Sequence, residues 1–301
     1  MTSYLLVIEG PTAVGKTDLS IAIAKHYNTE IISCDSRQFY KEMIIGTAVP
    51  SERHLLEIPH HFIHQLSIHD SYSVGQFELD AVKKIKSLHL DNQIVIMVGG
   101  SGLYVDAVCK GLDEFPDVPK NIRATLNSRF KKEGLSVLKK ELEILDPKYF
   151  SEIDKENPQR IIRALEICIE SGKPYSSFKR HQNKKRAFTV IRISLERNRK
   201  KLYERINQRV DLMMQEGLLE EVKSLHQYKH MNALQTVGYK ELFTFIDGEQ
   251  KIQDAVNEIK KNTRRYAKRQ MTWIRREPKD LIAHPDDTQN ILHQIDSLIK
   301  E

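Results

Sequence analysis

The stretch YLLVIEGPTAVGKTDLSIAIAKHY, residues 4–27, constrains this chain more than any other. A short apolar run ends at Gly10. From there Gly10, Pro11, Thr12, Ala13, Val14, Gly15, Lys16 and Thr17 fit the phosphate-loop pattern G-x-x-x-x-G-K-[ST]. Leu19, Ile23 and Tyr27 then recur at i, i+4 and i+8, which predicts a helix. Strand, glycine loop and helix in succession are the context the motif requires. The glycines let backbone N–H groups turn around phosphate oxygens, and the helix N-terminus adds positive potential. Lys16 supplies a point charge, and the Thr17 hydroxyl is the expected ligand of a Mg²⁺ ion.

EIISC and QIVIMV read as two further buried strands separated from the first by helix-like segments. Such short β-branched runs predict a parallel sheet covered on both faces. DEFPDVP (113–119) breaks the alternation, and from Ile122 to about Ile169 the chain reads as amphipathic helix. Asn157 and Pro158 look like the N-cap and first residue of one such helix. GKPYSSFKRHQNKK is a polar loop, and AFTVIRISL returns to strand character. The expected fold is therefore α/β. A phosphate-loop-type parallel sheet core (1–113 and 186–301) carries helices on both faces, an all-helical insertion (114–185) and a helical C-terminal region. In that region NRKKLYERINQRVDLMMQEGLLEEVKSL, KELFTFI and a long segment through 254–276 read as helix.

A nucleotide triphosphatase needs an acid at the end of an apolar strand to hold its metal. QIVIMV ends instead in Gly99 and Gly100, so phosphate binding is expected and hydrolysis is not. Ligands of an open parallel sheet sit beyond the carboxyl ends of its strands. Asp35 and Ser101 both follow strand ends, which places them in the crevice of the phosphate loop. Asp35 is equally placed to cap the short helix after it, and Ser101 the helix from Leu103. A carboxylate beside a diphosphate suits either a metal ligand or a proton acceptor.

The chain has 301 residues, 40% hydrophobic and 29% charged, and its apolar runs are too short to span a membrane. Its 3 cysteines are widely spaced and form neither a disulfide framework nor a metal-ligand spacing. A reduced, cytoplasmic monomer is expected. The net charge of +6 is concentrated in residues 179–186 and 260–276. On a helical wheel Ile259, Thr263, Tyr266, Ala267, Gln270, Trp273 and Ile274 share one arc. Lys260, Lys261, Arg264, Arg265, Lys268, Arg269, Arg275 and Arg276 fill the other. A solvated face mixes acids with bases, and this one has no acid between Lys260 and Arg276, so a phosphate-contacting surface is expected. His54, His60, His61, His64 and His69 invite a metal, but no spacing among them matches a helix-borne site.

GPTAVGKT, ISCDSRQFY, IGTAVP, PHHFIH, VGGSGLY, NPQRIIRALE, VGYKEL and AKRQMTWIR follow one another along nearly the whole chain. Together they resemble the bacterial tRNA dimethylallyltransferases. The resemblance implies transfer of a dimethylallyl group from dimethylallyl diphosphate to N6 of the adenosine 3′ to the anticodon, with diphosphate as leaving group. By the same resemblance Asp35 relieves N6 of its proton, Ser101 sits beside the reacting centre, and an arginine from ERINQR meets the diphosphate. Arg209 is the preferred match over Arg205. The tRNA anticodon stem-loop is expected on Asp35, Ser36, Arg37, Gln38, Ser101, Arg123, Gln159, Arg160, Ile161, Ile162 and Arg163. Of these, Ile161 and Ile162 read as core residues. Lys268 and Arg269 extend the RNA surface on the basic helix. The family usually has Thr where Ser101 stands, and HHLID where this chain has HHFIH. Three other readings stay open: a prenyltransferase for free adenine nucleotides, a phosphate-loop kinase or ATPase, and a non-catalytic RNA-binding module.

Overall fold

The computed structural model describes residues 2–179 and 183–300; Arg180, His181 and Gln182 of the basic loop lie outside the described residues. Its strands are β1 (Tyr4–Glu9), β2 (Ile31–Ser33), β3 (His60–His61), β4 (Ile94–Gly99), β5 (Thr189–Leu195) and β6 (Leu281–Ala283). They form one 6-stranded sheet in the order β3-β2-β4-β1-β5-β6, every pairing parallel. The helices of this unit are α1 (Lys16–Tyr27), α2 (Glu52–Glu57), α3 (Val74–Leu88) and α4 (Gly102–Lys110) before the insertion. The insertion holds α5 (Lys120–Glu133), α6 (Leu135–Leu145), α7 (Pro147–Glu152) and α8 (Pro158–Ser171). After it come α9 (Arg199–Gln215), α10 (Leu218–Ser224), α11 (Tyr239–Ile246), α12 (Ile252–Ile274) and α13 (Thr288–Lys300).

Successive β1 side chains point to opposite faces. Leu5 and Val7 pack with Phe77 and Ile85 of α3, Leu242 of α11 and Ile259 of α12. Leu6 and Ile8 pack with Leu19 and Ile23 of α1, Ile206 of α9 and Ile295 of α13. Burial on both faces is why these strands read as unbroken apolar runs.

The chain divides into two compact units, Met1–Cys109 with Lys185–Glu301, and Lys110–Lys184. The second begins earlier than the expected 114, because the Lys184 N–H donates to the Lys110 carbonyl at 2.7 Å and closes the unit there. Its core is Leu126, Leu138, Leu142, Phe150, Ile161, Ile162 and Leu165. As expected, Pro158 opens α8 and the Asn157 side chain caps it, accepting from the Arg160 N–H at 3.3 Å.

Three local features differ from expectation. β3 has only two residues, with no apolar run to betray it. β6 is defined by its register on β5, Ile193 opposite Leu281, rather than by its own composition. The single long helix expected over NRKK…KSL is broken at Gly217, which takes the left-handed conformation (φ 101°) between α9 and α10.

The register positions the site. Glu9 lies opposite both Gly99 and Ser194, and Ser33 lies opposite Val98. Gly10, Asp35 and Ser101 therefore leave the sheet at one carboxyl edge. At Gly99 the backbones are so close that a Cβ would lie 2.1 Å from the Cys34 carbonyl oxygen. Gly99→Ala is expected to force β2 and β4 apart and to lower stability by about 1–3 kcal/mol, read by urea unfolding.

Candidate active site

Positive backbone φ at Ala13 (64°) and Gly15 (119°) folds the phosphate loop into a concave turn at the start of α1. Lys16 folds back over that turn, its Nζ donating to the carbonyls of Gly10 and Pro11 at 3.0 Å each. Burial, and then the nearby Arg209 guanidinium, lower the Lys16 pKa to about 8 against the pull of Asp35. Arg209 is itself pushed below its ordinary value by burial and by Arg205, with Asp18 opposing. Arg205 is committed to the loop, its Nε donating to the Ala13 carbonyl at 2.8 Å. Arg209, one helical turn on, has no hydrogen-bond partner among the described residues.

Two cavities meet here. A polar one of about 350 Å³ is lined by Lys16, Thr17, Asp18, Gln38, Arg205 and Arg209. A narrower one of about 120 Å³ has apolar walls from Val210, Met213, Leu218, Val237 and Ile259. Thr12, Asp35, Arg209 and Tyr266 line both. A third, open cavity of about 660 Å³ carries Ser36, Arg37, Lys240, Asn262, Tyr266 and Arg269 in its wall. Tyr266 thus stands where all three adjoin. Burial and the Asp35 carboxylate raise its hydroxyl pKa, and Ser101 lies beside that hydroxyl.

Asp35 Oδ1 accepts from the Arg37 N–H at 3.0 Å, a local turn rather than a helix cap. Ser101 Oγ accepts from the Ser36 N–H at 3.2 Å, so the loops after β2 and β4 are joined there. The Arg37 guanidinium donates to the carbonyls of Asn232 and Ala233. The Gln38 amide accepts from Ser33 Oγ and donates to the carbonyls of Thr47 and Ala48. Both side chains therefore brace the walls. Glu9 ends β1 with an acid but is absorbed by Lys279 and Arg192 in the interior, where burial raises its pKa. Among the described residues no group of three His, Cys, Asp or Glu side chains is placed to hold a metal.

In the insertion, Gln159 and Arg160 are exposed at the start of α8. Arg123 and Arg163 are half-exposed and both pair with the buried Glu166. Ile161 and Ile162, carried among the RNA-contacting positions, are interior (0% and 1% exposed) and serve the insertion's core. On α12 the basic arc is also less free than its wheel suggests. Lys260 pairs with Asp211 at 2.6 Å, and Arg264 donates to Asn207 at 2.6 Å, because α9 packs alongside. Arg265, Lys268, Arg269, Arg275 and Arg276 remain exposed.

Two supporting residues escaped the sequence reading. Glu221 accepts from the backbone N–H groups of Ile44, Ile45 and Gly46 and from the Tyr239 hydroxyl, holding the loop that walls the cavities. Nothing local distinguishes it from its neighbour Glu220. Gln270 is buried between two loops, and its signal was visible: an amide on the apolar arc of the basic helix.

The IPP transferase family profile matches residues 38–277. A curated relative, the tRNA dimethylallyltransferase of Christiangramia forsetii, is 52% identical over 300 residues, covering 99% of each chain. The solved tRNA isopentenylpyrophosphate transferase of Bacillus halodurans is 34% identical with a TM-score of 0.72, over 99% of this chain and 98% of its own. A eukaryotic dimethylallyltransferase acting on tRNA is 28% identical with a TM-score of 0.78, over 91% of this chain and 70% of its own.

The depressed Lys16 pKa has a measurable consequence. Diphosphate favours the ammonium form, so binding takes up a proton once pH exceeds about 8. Affinity for inorganic diphosphate is expected to fall as pH rises through that value, more steeply in wild type than in Lys16→Arg, whose guanidinium stays charged. Calorimetric titration across that range checks it.

Proposed function

The chain belongs to the IPP transferase family, and from that premise we propose how its own residues carry out tRNA dimethylallyl transfer. The donor is dimethylallyl diphosphate and the acceptor is N6 of the adenosine 3′ to the anticodon. The observation that carries this reading is the junction of a cationic cavity with a narrow apolar one at Thr12, Asp35 and Arg209. A diphosphate head and a five-carbon tail match that pair of shapes.

In the reaction the C1–O bond of the donor breaks and diphosphate leaves with the bonding electrons. N6 of the adenine forms the new bond to C1, and its proton passes to the Asp35 carboxylate. Lys16 and Arg209 stabilise charge as it builds on the departing oxygens, worth most where water is excluded. Thr17 and Asp18 put hard oxygen donors on the same wall, a set that suits Mg²⁺ completed by diphosphate and water. When bound, that ion would neutralise part of the leaving-group charge. The adenine, taken out of its stack, enters from the open cavity past Tyr266, with Ser101 beside the nucleophile.

The exposed Lys268 and Arg269 on α12 offer phosphate contacts in the first unit, and Gln159 and Arg160 do so in the insertion. We take the chain to act as a monomer, and the substrate RNA makes the cytoplasm its workplace. No helix among the described residues is long and apolar enough to cross a membrane.

With unmodified tRNA, Mg²⁺ and labelled dimethylallyl diphosphate, wild type is expected to incorporate label into RNA. Asp35→Ala should bind tRNA normally and lose about 10²- to 10⁴-fold in rate, the usual worth of a positioned base. Label on free AMP but not on tRNA would overturn the assignment of the acceptor. Met213 is part of the apolar cavity's wall, so Met213→Ala is expected to raise relative kcat/KM for geranyl diphosphate by about tenfold or more, measured in competition with the five-carbon donor.

A further inference from the structure

The donor and acceptor groups of this site ride on separate loops, and one side chain joins them. Gln270, on α12, is 6% exposed. Its Oε1 accepts from the Thr12 N–H at 2.8 Å, and its Nε2 donates to the Gly100 carbonyl at 3.0 Å. Thr12 belongs to the phosphate loop. Gly100 immediately precedes Ser101. Neither contact is local, since Gln270 lies 258 residues from Thr12 and 170 from Gly100. The space around the amide is filled as well: a Cβ on Gly100 would lie 2.1 Å from Nε2.

Burying an amide is unfavourable unless both ends are satisfied, and an apolar side chain of similar size would fill the same volume without that requirement. What glutamine adds is a rigid donor–acceptor pair of fixed polarity. A carboxylate satisfies only the Thr12 end, because it has no proton for the Gly100 carbonyl. The two loops carry the two halves of the reaction: Lys16 and Thr17 on one side, Ser101 on the other. Their separation sets the distance between the donor carbon and the incoming nitrogen.

We infer that Gln270 is a positioning residue that locks the phosphate loop to the Ser101 loop and so sets the geometry for alkyl transfer. The inference rests on the proposed reaction. Gln270 shares the wall of the polar cavity, but both ends of its amide are bonded to the two loops, so it acts through Thr12 and the residue before Ser101. Misplacing reacting groups by about 1 Å costs about 10²-fold in rate, which is the scale expected here.

The test compares wild type with Gln270→Met, which removes both bonds at similar volume, Gln270→Glu, which keeps only the Thr12 bond, and Gly100→Ala. In the last, the new methyl displaces an unaltered Gln270. For each, tRNA affinity, thermal unfolding, and kcat and KM for dimethylallyl diphosphate are measured on one preparation. The expected result is wild-type tRNA affinity in all, with kcat down by about 10²-fold in Gln270→Met and Gly100→Ala and by less in Gln270→Glu. A second readout separates positioning from bulk stability. If Gln270 works by placing Ser101, its loss adds little in a Ser101→Ala background, so the two effects are non-additive. Undiminished kcat in Gln270→Met or Gly100→Ala overturns the inference. So do fully additive effects with Ser101→Ala, or a loss that follows unfolding and tRNA affinity alone. Failure of the wild type to prenylate tRNA strikes the proposed function instead, and is read before any variant.

Discussion

The site depends on a line of cations that the fold forces together. Arg205 is tied to the phosphate loop at Ala13, Arg209 lies one helical turn beyond it, and Lys16 faces Arg209 from the start of α1. Burial lowers the proton affinity of Lys16 and Arg209, and the neighbouring cation adds to the effect in each. Asp35 and Asp18 relieve this only in part. A polyanion with several phosphate oxygens is the ligand that removes both the repulsion and the desolvation penalty at once. On the proposed reading, charge selects a phosphorylated ligand but not what the phosphate is attached to. That choice falls to the narrow apolar cavity beside Met213 and to the open one beyond Tyr266.

The loops holding these groups are braced by polar side chains with satisfied bonds, some from the later helices and some from the loops themselves. Glu221 gathers the amides of Ile44, Ile45 and Gly46; Arg37 holds the turn at Asn232; Gln38 holds Thr47 and Ala48; Gln270 spans Thr12 and Gly100. Apart from Gln38, whose partners lie 9 and 10 residues on, each joins residues far apart in the chain. An active edge built from loops becomes rigid without adding strands to the sheet.

Much of this was legible in the sequence. The phosphate loop, the strands flanking it and the convergence of Asp35 with Ser101 follow from motif spacing and from the rule that strand ends share one edge. The capped start of α8 was legible too, because Asn157 and Pro158 act locally. What escaped was non-local. β3 and β6 exist through their neighbours' hydrogen bonds rather than their own composition. Gly217 breaks a helix that periodicity alone continues. Lys260 and Arg264 are drawn into pairs by α9, which no helical wheel contains. Glu221 is one of two adjacent glutamates, and only tertiary packing selects it.

Equilibrium binding of dimethylallyl thiodiphosphate, an unreactive donor analogue, tests the central claim most directly: that the cationic loop serves a prenyl diphosphate and not a nucleotide. The account predicts saturation at one analogue per chain in the presence of Mg²⁺, displacement by inorganic diphosphate, and persistence of the complex when ATP is added. Displacement by ATP at lower concentration than by diphosphate, accompanied by ATP hydrolysis, would contradict it.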